Sequence, residues 1–308
     1  MLVNHPQPFE HSFAAMTTQC ALTFYGVSQT RGTEIALAIE QRVMWLVQRY
    51  NFHSADSWLT RAVNHRSSNT VAIDEELATV LTTVREHAKN FCDVFDITVG
   101  TYADRVKKAK SSREVADAKK QLQRYTGAAR WAVVSSDGNH SLQFDNSVTR
   151  IDLGGVIKEY AVDESARIAK AAGVEAGIVN YGGDLSCWGL KPSGERFVAG
   201  IPDPRAPEKM LFGLDLLDQA LTTSGHYARS RTLKDGSVSH IVGASQSSHQ
   251  IPTFSPWLSC SVVSKSALVS GIYSTALLIA SQQSAATYLP PEALAIVVDQ
   301  HGSVQRLN

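Results

Sequence analysis

The stretch from Val148 to Gly189 reads VTRIDLGGVIKEYAVDESARIAKAAGVEAGIVNYGGDLSCWG. An apolar run leads into Asp152, Leu153 and the pair Gly154–Gly155. Lys158 follows at once and opens a helical pattern to Ala172, with Ala161, Val162, Ala166, Ile168 and Ala169 available for packing. Gly173 is a natural stop for that helix. Ile178–Asn180 reads as a buried strand, and a second pair, Gly182–Gly183, precedes Asp184. A strand, a Gly-Gly turn and a helix in succession expose backbone amides at a helix start, where the dipole favours anions. Lys158 adds a mobile cation there, and glycine lets a ligand come close to the backbone. The pattern is neither a Walker loop nor GxGxxG, so spacing alone leaves a tight turn with a surface lysine as the commoner reading. Asp152 and Asp163 each imply a hydrogen-bonding reason, since buried carboxylates need partners; Asp184 can tie down turn amides in the same way.

The surrounding chain mixes helices and strands without a βαβ rhythm. Cys20–Gly26 reads as a strand. Apolar residues at helical spacing predict a helix from about Thr33 to Tyr50, and Asp74 is the expected N-cap of a second helix reaching Phe91. Phe95–Thr101 is a short turn-rich stretch, and Ser112–Tyr125 a polar surface helix. Ala132–Ser135 and Leu142–Phe144 are strands around a turn. Short strands follow at Phe197–Ile201, Leu211–Leu216, Ala220–Thr223, Val238–Val242 and Leu258–Val263. A helix over about Lys265–Gln282 then precedes a final hairpin, Leu294–Val298 and Ser303–Leu307. The expected class is α+β, with antiparallel-rich sheets, in one domain spanning residues 1–308. Residues 1–15 are expected to be a flexible extension.

Composition narrows the function classes. Lys+Arg and Asp+Glu both number 29, so the formal charge is zero and a general polyanion or nucleic-acid binder is disfavoured. The cysteines Cys20, Cys92, Cys187 and Cys260 form no CxxC pair and no zinc spacing, which points to reduced thiols. The first twenty residues lack a basic segment followed by an apolar one, and Cys20 follows polar residues. Neither a signal peptide nor a lipoprotein signal is therefore expected. No apolar run approaches the roughly 18 residues of a membrane span. A cytoplasmic location is the expectation.

DLGGVIKEYAVD followed by GIVNYGGDLSCWG resembles the signature of the ApbE-type FAD:protein FMN transferases. Further segments match in order. HSFAAMTTQC is similar to that family's Phe-x-Ala-Met-Gly-Thr, with Met16 and Thr18 matching and Thr17 in place of Gly. RYNFHSADSWLTRAVN is similar to a Ser-containing loop, retaining Asp56, Ser57 and Asn64. VFDITVG matches Phe-Asp-x-Thr at Phe95, Asp96 and Thr98. FVAGIPDP, ALTTSGHY and SHIV resemble later strands, so the resemblance covers nearly the whole chain. It implies a T-fold-related flavin transferase fold, FAD as substrate, Mg²⁺ as metal, and a flavoprotein partner with an acceptor Ser or Thr. Met16, Phe95, Asp96, Asp152 and Lys158 then match flavin- or FAD-contacting positions, joined by His53 at a flavin-facing aromatic position, Gly154 and Ile241. The Gly155 carbonyl, Ser274 and Thr275 are implied metal ligands, and His240 the acid–base residue.

The departures from the family pattern fall at the chemistry. Gly271 stands where the family usually has a metal-ligating Asp. Glu159 replaces the usual Gly after the Lys. Gly243 and Ala244 follow Val242 where an Asp-Pro turn is usual. A hard cation prefers charged oxygens, so Mg²⁺ affinity is expected to fall unless another acidic residue substitutes. Three readings follow: an FMN transferase with a modified metal site, an FAD-binding protein that lost transfer, and an FAD pyrophosphatase giving FMN and AMP.

Overall fold

The computed structural model describes residues 7–91, 94–225, 230–233, 236–239, 257–280 and 287–307. Its centre is an eight-stranded sheet in which every neighbouring pair is antiparallel. In chain order the strands are β1 (Phe9–Ala15), β2 (Thr18–Tyr25), β3 (Thr70–Ile73), β4 (Trp131–Ser136), β5 (Asn139–Phe144), β6 (Ala176–Tyr181), β7 (Asp184–Trp188), β8 (Phe197–Asp203), β9 (Ala206–Leu216), β10 (Gln219–Gly225), β11 (Ser230–Leu233), β12 (Gly236–Ser239), β13 (Trp257–Ser264), β14 (Leu294–Asp299) and β15 (Val304–Leu307). The helices are α1 (Gln29–Tyr50), α2 (Glu75–Lys89), α3 (Gly100–Lys108), α4 (Ser112–Leu122), α5 (Ile157–Ala171) and α6 (Ala267–Ala280). The central sheet runs β1-β2-β6-β7-β10-β13-β14-β15, and β3-β5-β4 form a second, smaller sheet. The mixed, antiparallel architecture is the expected α+β class.

Alternation along the strands sets the layers. Phe13, Ala15, Cys20, Leu22, Val179, Tyr181, Cys260 and Val262 point to one face, where α1, α5 and α6 cover them. Leu185, Cys187, Leu221 and Val263 point to the other face and meet Phe197, Ala199 and Ile201 of the β8–β9 ribbon. On α1 the fully buried residues Ile39, Val43 and Leu46 recur at helical spacing. Each such side chain contributes roughly 1.5–3 kcal/mol.

Local signals explain the element ends. Ser28 Oγ accepts from the Arg31 amide at 3.2 Å, so α1 starts a turn earlier than its apolar pattern implies. Asp74 caps α2 as expected, accepting from Leu77 N at 2.8 Å. Residues 9–15 are not a flexible extension. They form β1, whose buried Phe9, Phe13 and Ala15 follow the period of a half-buried strand, and all seven residues pair with β2. Beyond Phe95 the chain turns through a short 3-10 segment into α3, a helix the turn-rich reading lacks.

Two contacts position the functional region. Asn64 is buried and clamps Ile151 from both sides: its Nδ2 donates to Ile151 O at 2.9 Å and its Oδ1 accepts from Ile151 N at 2.8 Å. Asp163, on α5, caps α6 from outside. Its carboxylate accepts from Ala267 N (2.7 Å), Leu268 N (3.0 Å) and Ser266 Oγ (2.7 Å). Asn64→Ala leaves two buried backbone groups unpaired, and its expected cost is about 2–4 kcal/mol in denaturant unfolding. The β1–β2 turn carries the opposite kind of residue. Met16 and Thr17 have φ of 51° and 62°, and a β-branched residue is strained there. Thr17→Gly is expected to stabilise the protein by about 1 kcal/mol, read from the same unfolding curves.

Candidate functional site

The first turn of α5 is the centre of the site. No side chain caps this helix. Ahead of it, Asp152 Oδ1 accepts from Gly154 N at 2.9 Å, and Asp152 N donates to Ile97 O at 2.7 Å. Those bonds lock the Asp-Leu-Gly-Gly turn against the 3-10 segment that Asp96 caps. Asp96 Oδ1 accepts from Thr98 N at 2.8 Å, and both its carboxylate oxygens accept from Thr98 Oγ1. Phe95 is buried, and a Cβ added to Gly155 would sit 3.8 Å from its ring. Gly154 and Gly155 are exposed, so this turn presents bare backbone beside an aromatic face. Burial pushes the Asp152 carboxyl above the usual range, against the Gly154 amide and the nearby His53, which pull it down.

The second half of the site lies one helical step further. Lys158 Nζ ion-pairs with Asp184 Oδ2 and stands 3.5 Å from Glu159 Oε1. Both acidic residues are inside the protein: Glu159 is 6% exposed and Asp184 2%. Asp184 Oδ1 also accepts from Thr223 N at 3.2 Å. Glu159 Oε2 is buried and has no hydrogen-bond partner among the described residues. The Glu159 side chain runs over Gly271 of α6, where an added Cβ would meet Glu159 Cγ at 2.6 Å. One turn along α6, Ser274 Oγ and Thr275 Oγ1 lie 2.8 and 2.9 Å from Ser224 Oγ of β10. Ser274 Oγ also donates to Gly271 O at 3.1 Å.

This donor set bears on a divalent cation. Among the described residues, no three His, Cys, Asp or Glu side chains converge as a metal cluster. Mg²⁺ does not need one: it is commonly held by one or two carboxylates, with waters and substrate phosphates supplying the rest. Glu159 and Asp184 offer two buried carboxylates, Glu159 Oε2 is free to accept, and the Ser274 and Thr275 hydroxyls sit on the same stretch of α6. The residues present fit a hard cation.

The expected site residues gather unevenly. Asp96, Asp152, Gly154, Gly155, Phe95 and Lys158 surround the start of α5, with His53 exposed on the loop nearby. Ser274 and Thr275 lie on α6 within the hydroxyl group just described. Met16 is at the β1–β2 turn, whose Thr18 packs against Gly182: an added Cβ there would lie 2.1 Å from Thr18 Oγ1. His240 and Ile241 lie outside the described residues, as do Gly243 and Ala244. At this end of the sheet β10 pairs with β13, Gly225 with Ser259, next to Ser224. Asp184, Glu159 and Ser224 were not among the expected site residues. The replacement of Gly by Glu after Lys158 was the available signal. Cys20, Cys187 and Cys260 are buried, and burial pushes the Cys20 thiol up to about 11, so none offers a ready thiolate. A cleft of about 450 Å³ beside Leu216, Gln219 and Leu294 opens at the other end of β10 and shares none of these groups.

The sequence profile of the ApbE family matches residues 16–297. The chain belongs to the ApbE family. Curated relatives include the FAD:protein FMN transferase of Salmonella typhimurium, 26% identical over 91% of this chain and 81% of its own length. That of Escherichia coli K12 is 24% identical over 88% and 78%. Among solved structures, the ApbE protein of Thermotoga maritima superposes with a TM-score of 0.84 at 24% identity, covering 97% of each chain. The Vibrio cholerae flavin transferase ApbE gives 0.77 at 19% identity, over 97% and 96%. The fold is therefore that of the ApbE flavin transferases. No helix among the described residues is long and apolar enough to cross a membrane.

The raised Asp152 carboxyl has a definite sign. A group whose folded value exceeds its unfolded one stabilises the fold only while protonated, and that contribution is lost as pH rises through the folded value. Once ionised, Asp152 is a cost to the fold. Asp152→Asn is expected to raise Tm by about 1–3 °C at pH 7. The gain should fade toward pH 4, as a thermal-melt series across pH would show.

Proposed function

We propose that this chain is an FAD:protein FMN transferase. It moves FMN from FAD to a Ser or Thr hydroxyl of a flavoprotein and releases AMP. The observation that carries the reading is the grouping of separate family segments around one helix start: Phe95–Asp96, Asp152–Gly155, Lys158 and, on α6, Ser274–Thr275.

The chemistry is a displacement at the FMN phosphorus. The acceptor oxygen bonds to that phosphorus, the bond to the bridging oxygen breaks, and AMP leaves with the bridging oxygen. The acceptor hydroxyl proton must go to a base, the role assigned to His240. Positioning and charge stabilisation supply most of the catalysis in such transfers. The bare Gly154–Gly155 backbone lets the pyrophosphate approach the helix start. Phe95 and Met16 offer apolar contact to the isoalloxazine ring, and the family resemblance adds His53 and Ile241 to the flavin-contacting set. Asp96 and Asp152 accept hydrogen bonds from flavin donors, and Asp152 holds the turn in shape. Lys158, already at the first turn of α5, carries the positive charge that a pyrophosphate oxygen meets.

In this reading the Gly155 carbonyl, the Thr275 and Ser274 hydroxyls and a buried carboxylate would hold Mg²⁺. When bound, it neutralises charge on the pyrophosphate.

Incubation with FAD, Mg²⁺ and a flavoprotein bearing a Ser/Thr acceptor is expected to add an FMN mass to the acceptor and release AMP. AMP release without an acceptor adduct would instead mark a pyrophosphatase, and neither product a binding protein. Lys158→Ala is expected to weaken FAD binding roughly tenfold, the loss of one charge-assisted contact. Unchanged affinity by fluorescence titration would remove that role from Lys158.

A further inference from the structure

Two departures from the family pattern, Gly271 and Glu159, meet in space. A side chain at 271 has no room, because its Cβ would fall 2.6 Å from Glu159 Cγ. The carboxylate of Glu159 lies over the same turn of α6 from which an acidic residue at 271 would project. Gly271 and Thr275 are four residues apart on one helix, so they share a face, and Glu159 is laid on that face. The Glu159 side chain is 8% exposed and stands 3.5 Å from Lys158 Nζ through Oε1. Its other oxygen, Oε2, is buried and accepts no hydrogen bond from any described residue. An ionised carboxylate left half-satisfied in the interior is costly. Asp184 already pairs with the same ammonium. Two buried carboxylates thus share one lysine, which leaves a local excess of negative charge.

We propose that Glu159 is a ligand of the divalent metal, delivered from α5 in place of a carboxylate on α6. This inference rests on the transferase reading for the identity of the metal site, not for the geometry. Glu159 Oε2 is the open acceptor, and the Ser274 and Thr275 hydroxyls follow one turn along α6 from the Gly271 that Glu159 covers. Asp184 holds Lys158 at the edge of the site. Gly271 is small because Glu159 fills its space. Glu159 and Gly271 are a complementary pair: the carboxylate comes from α5, and α6 carries no side chain where it lies.

The test uses the full chain and Mn²⁺ as the probe, without FAD, read by the loss of the free-ion EPR signal. Wild type is expected to bind one Mn²⁺, in competition with Mg²⁺. Glu159→Gln keeps the shape and removes the charge, and should weaken Mn²⁺ binding tenfold or more. The exchange variant Glu159→Gly/Gly271→Asp should recover binding to within a few-fold of wild type, whereas Glu159→Gly alone should not. Mn²⁺ affinity in Glu159→Gln equal to that of wild type overturns the proposal, as does wild type that binds no Mn²⁺ at millimolar concentration. Circular dichroism establishes that each variant is folded, and if Glu159→Gln does not fold, the exchange variant and Glu159→Gly decide. FMN transfer by wild type is scored separately. Transfer with unaltered Mn²⁺ binding in Glu159→Gln rejects the ligand and leaves the transferase reading standing. Mn²⁺ binding that depends on Glu159, with no transfer, supports the ligand and rejects that reading.

Discussion

The geometry of the site depends on the docking of α5 against α6, and one carboxylate fixes that docking. Asp163 reaches from the second turn of α5 to the exposed amides of Ala267 and Leu268 and to Ser266 Oγ. It acts as an N-cap supplied by a neighbouring helix. Burial holds its carboxyl above the usual range even though all three donors pull it down. Because the cap lies on α5 itself, the register between the two helices is set in whole turns. Glu159, four residues earlier on the same face, is thereby placed on Gly271, four residues along α6 from Ala267. A shift of one residue in that register would put Glu159 against a side chain.

The electrostatics follow from this placement. Lys158 and the buried Glu159 and Asp184 form a triad with two negative charges and one positive. Such an arrangement repels a pyrophosphate unless a cation is added, because like charges a few ångströms apart in a protein interior interact by several kcal/mol. A divalent ion reverses the sign of the site. Metal and FAD binding should therefore favour one another. The antiparallel sheet supplies the rest of the frame. Its turns at Met16–Thr17 and Gly182–Gly183, the end of β10 at Ser224 and the first turn of α5 all open at one end.

Much of the fold was legible before the structure. Asp74 declared the start of α2, and the period of Ile35, Ile39, Val43 and Leu46 declared α1. Asp163 was marked as a carboxylate needing partners, though nothing in the sequence could say that the partners lie on α6. Residues 1–15 read as an extension, although Phe9, Phe13 and Ala15 carry the alternation of a half-buried strand. Their pairing with β2 is a tertiary fact. The site was legible as ordered segments and not as an arrangement. Gly271 and Glu159 each looked like a separate loss, since they stand far apart in the chain. Only the packing of α5 on α6 turns them into a reciprocal pair. Ser224 escaped notice for the same reason, and Asp184 was read only as a residue that ties down turn amides: each joins the site through a contact between elements that no local pattern encodes.

The central claim is that this flavin transferase site holds its metal through Glu159. The most direct measurement is a crystal structure with FAD and Mn²⁺, with the ion located by its anomalous signal. The account predicts an ion at the start of α5, within about 2.3 Å of a Glu159 oxygen, as expected for a hard cation bound to carboxylate, with the FAD pyrophosphate on its open side. An ion at that place with Glu159 turned away, still paired only to Lys158, would contradict it.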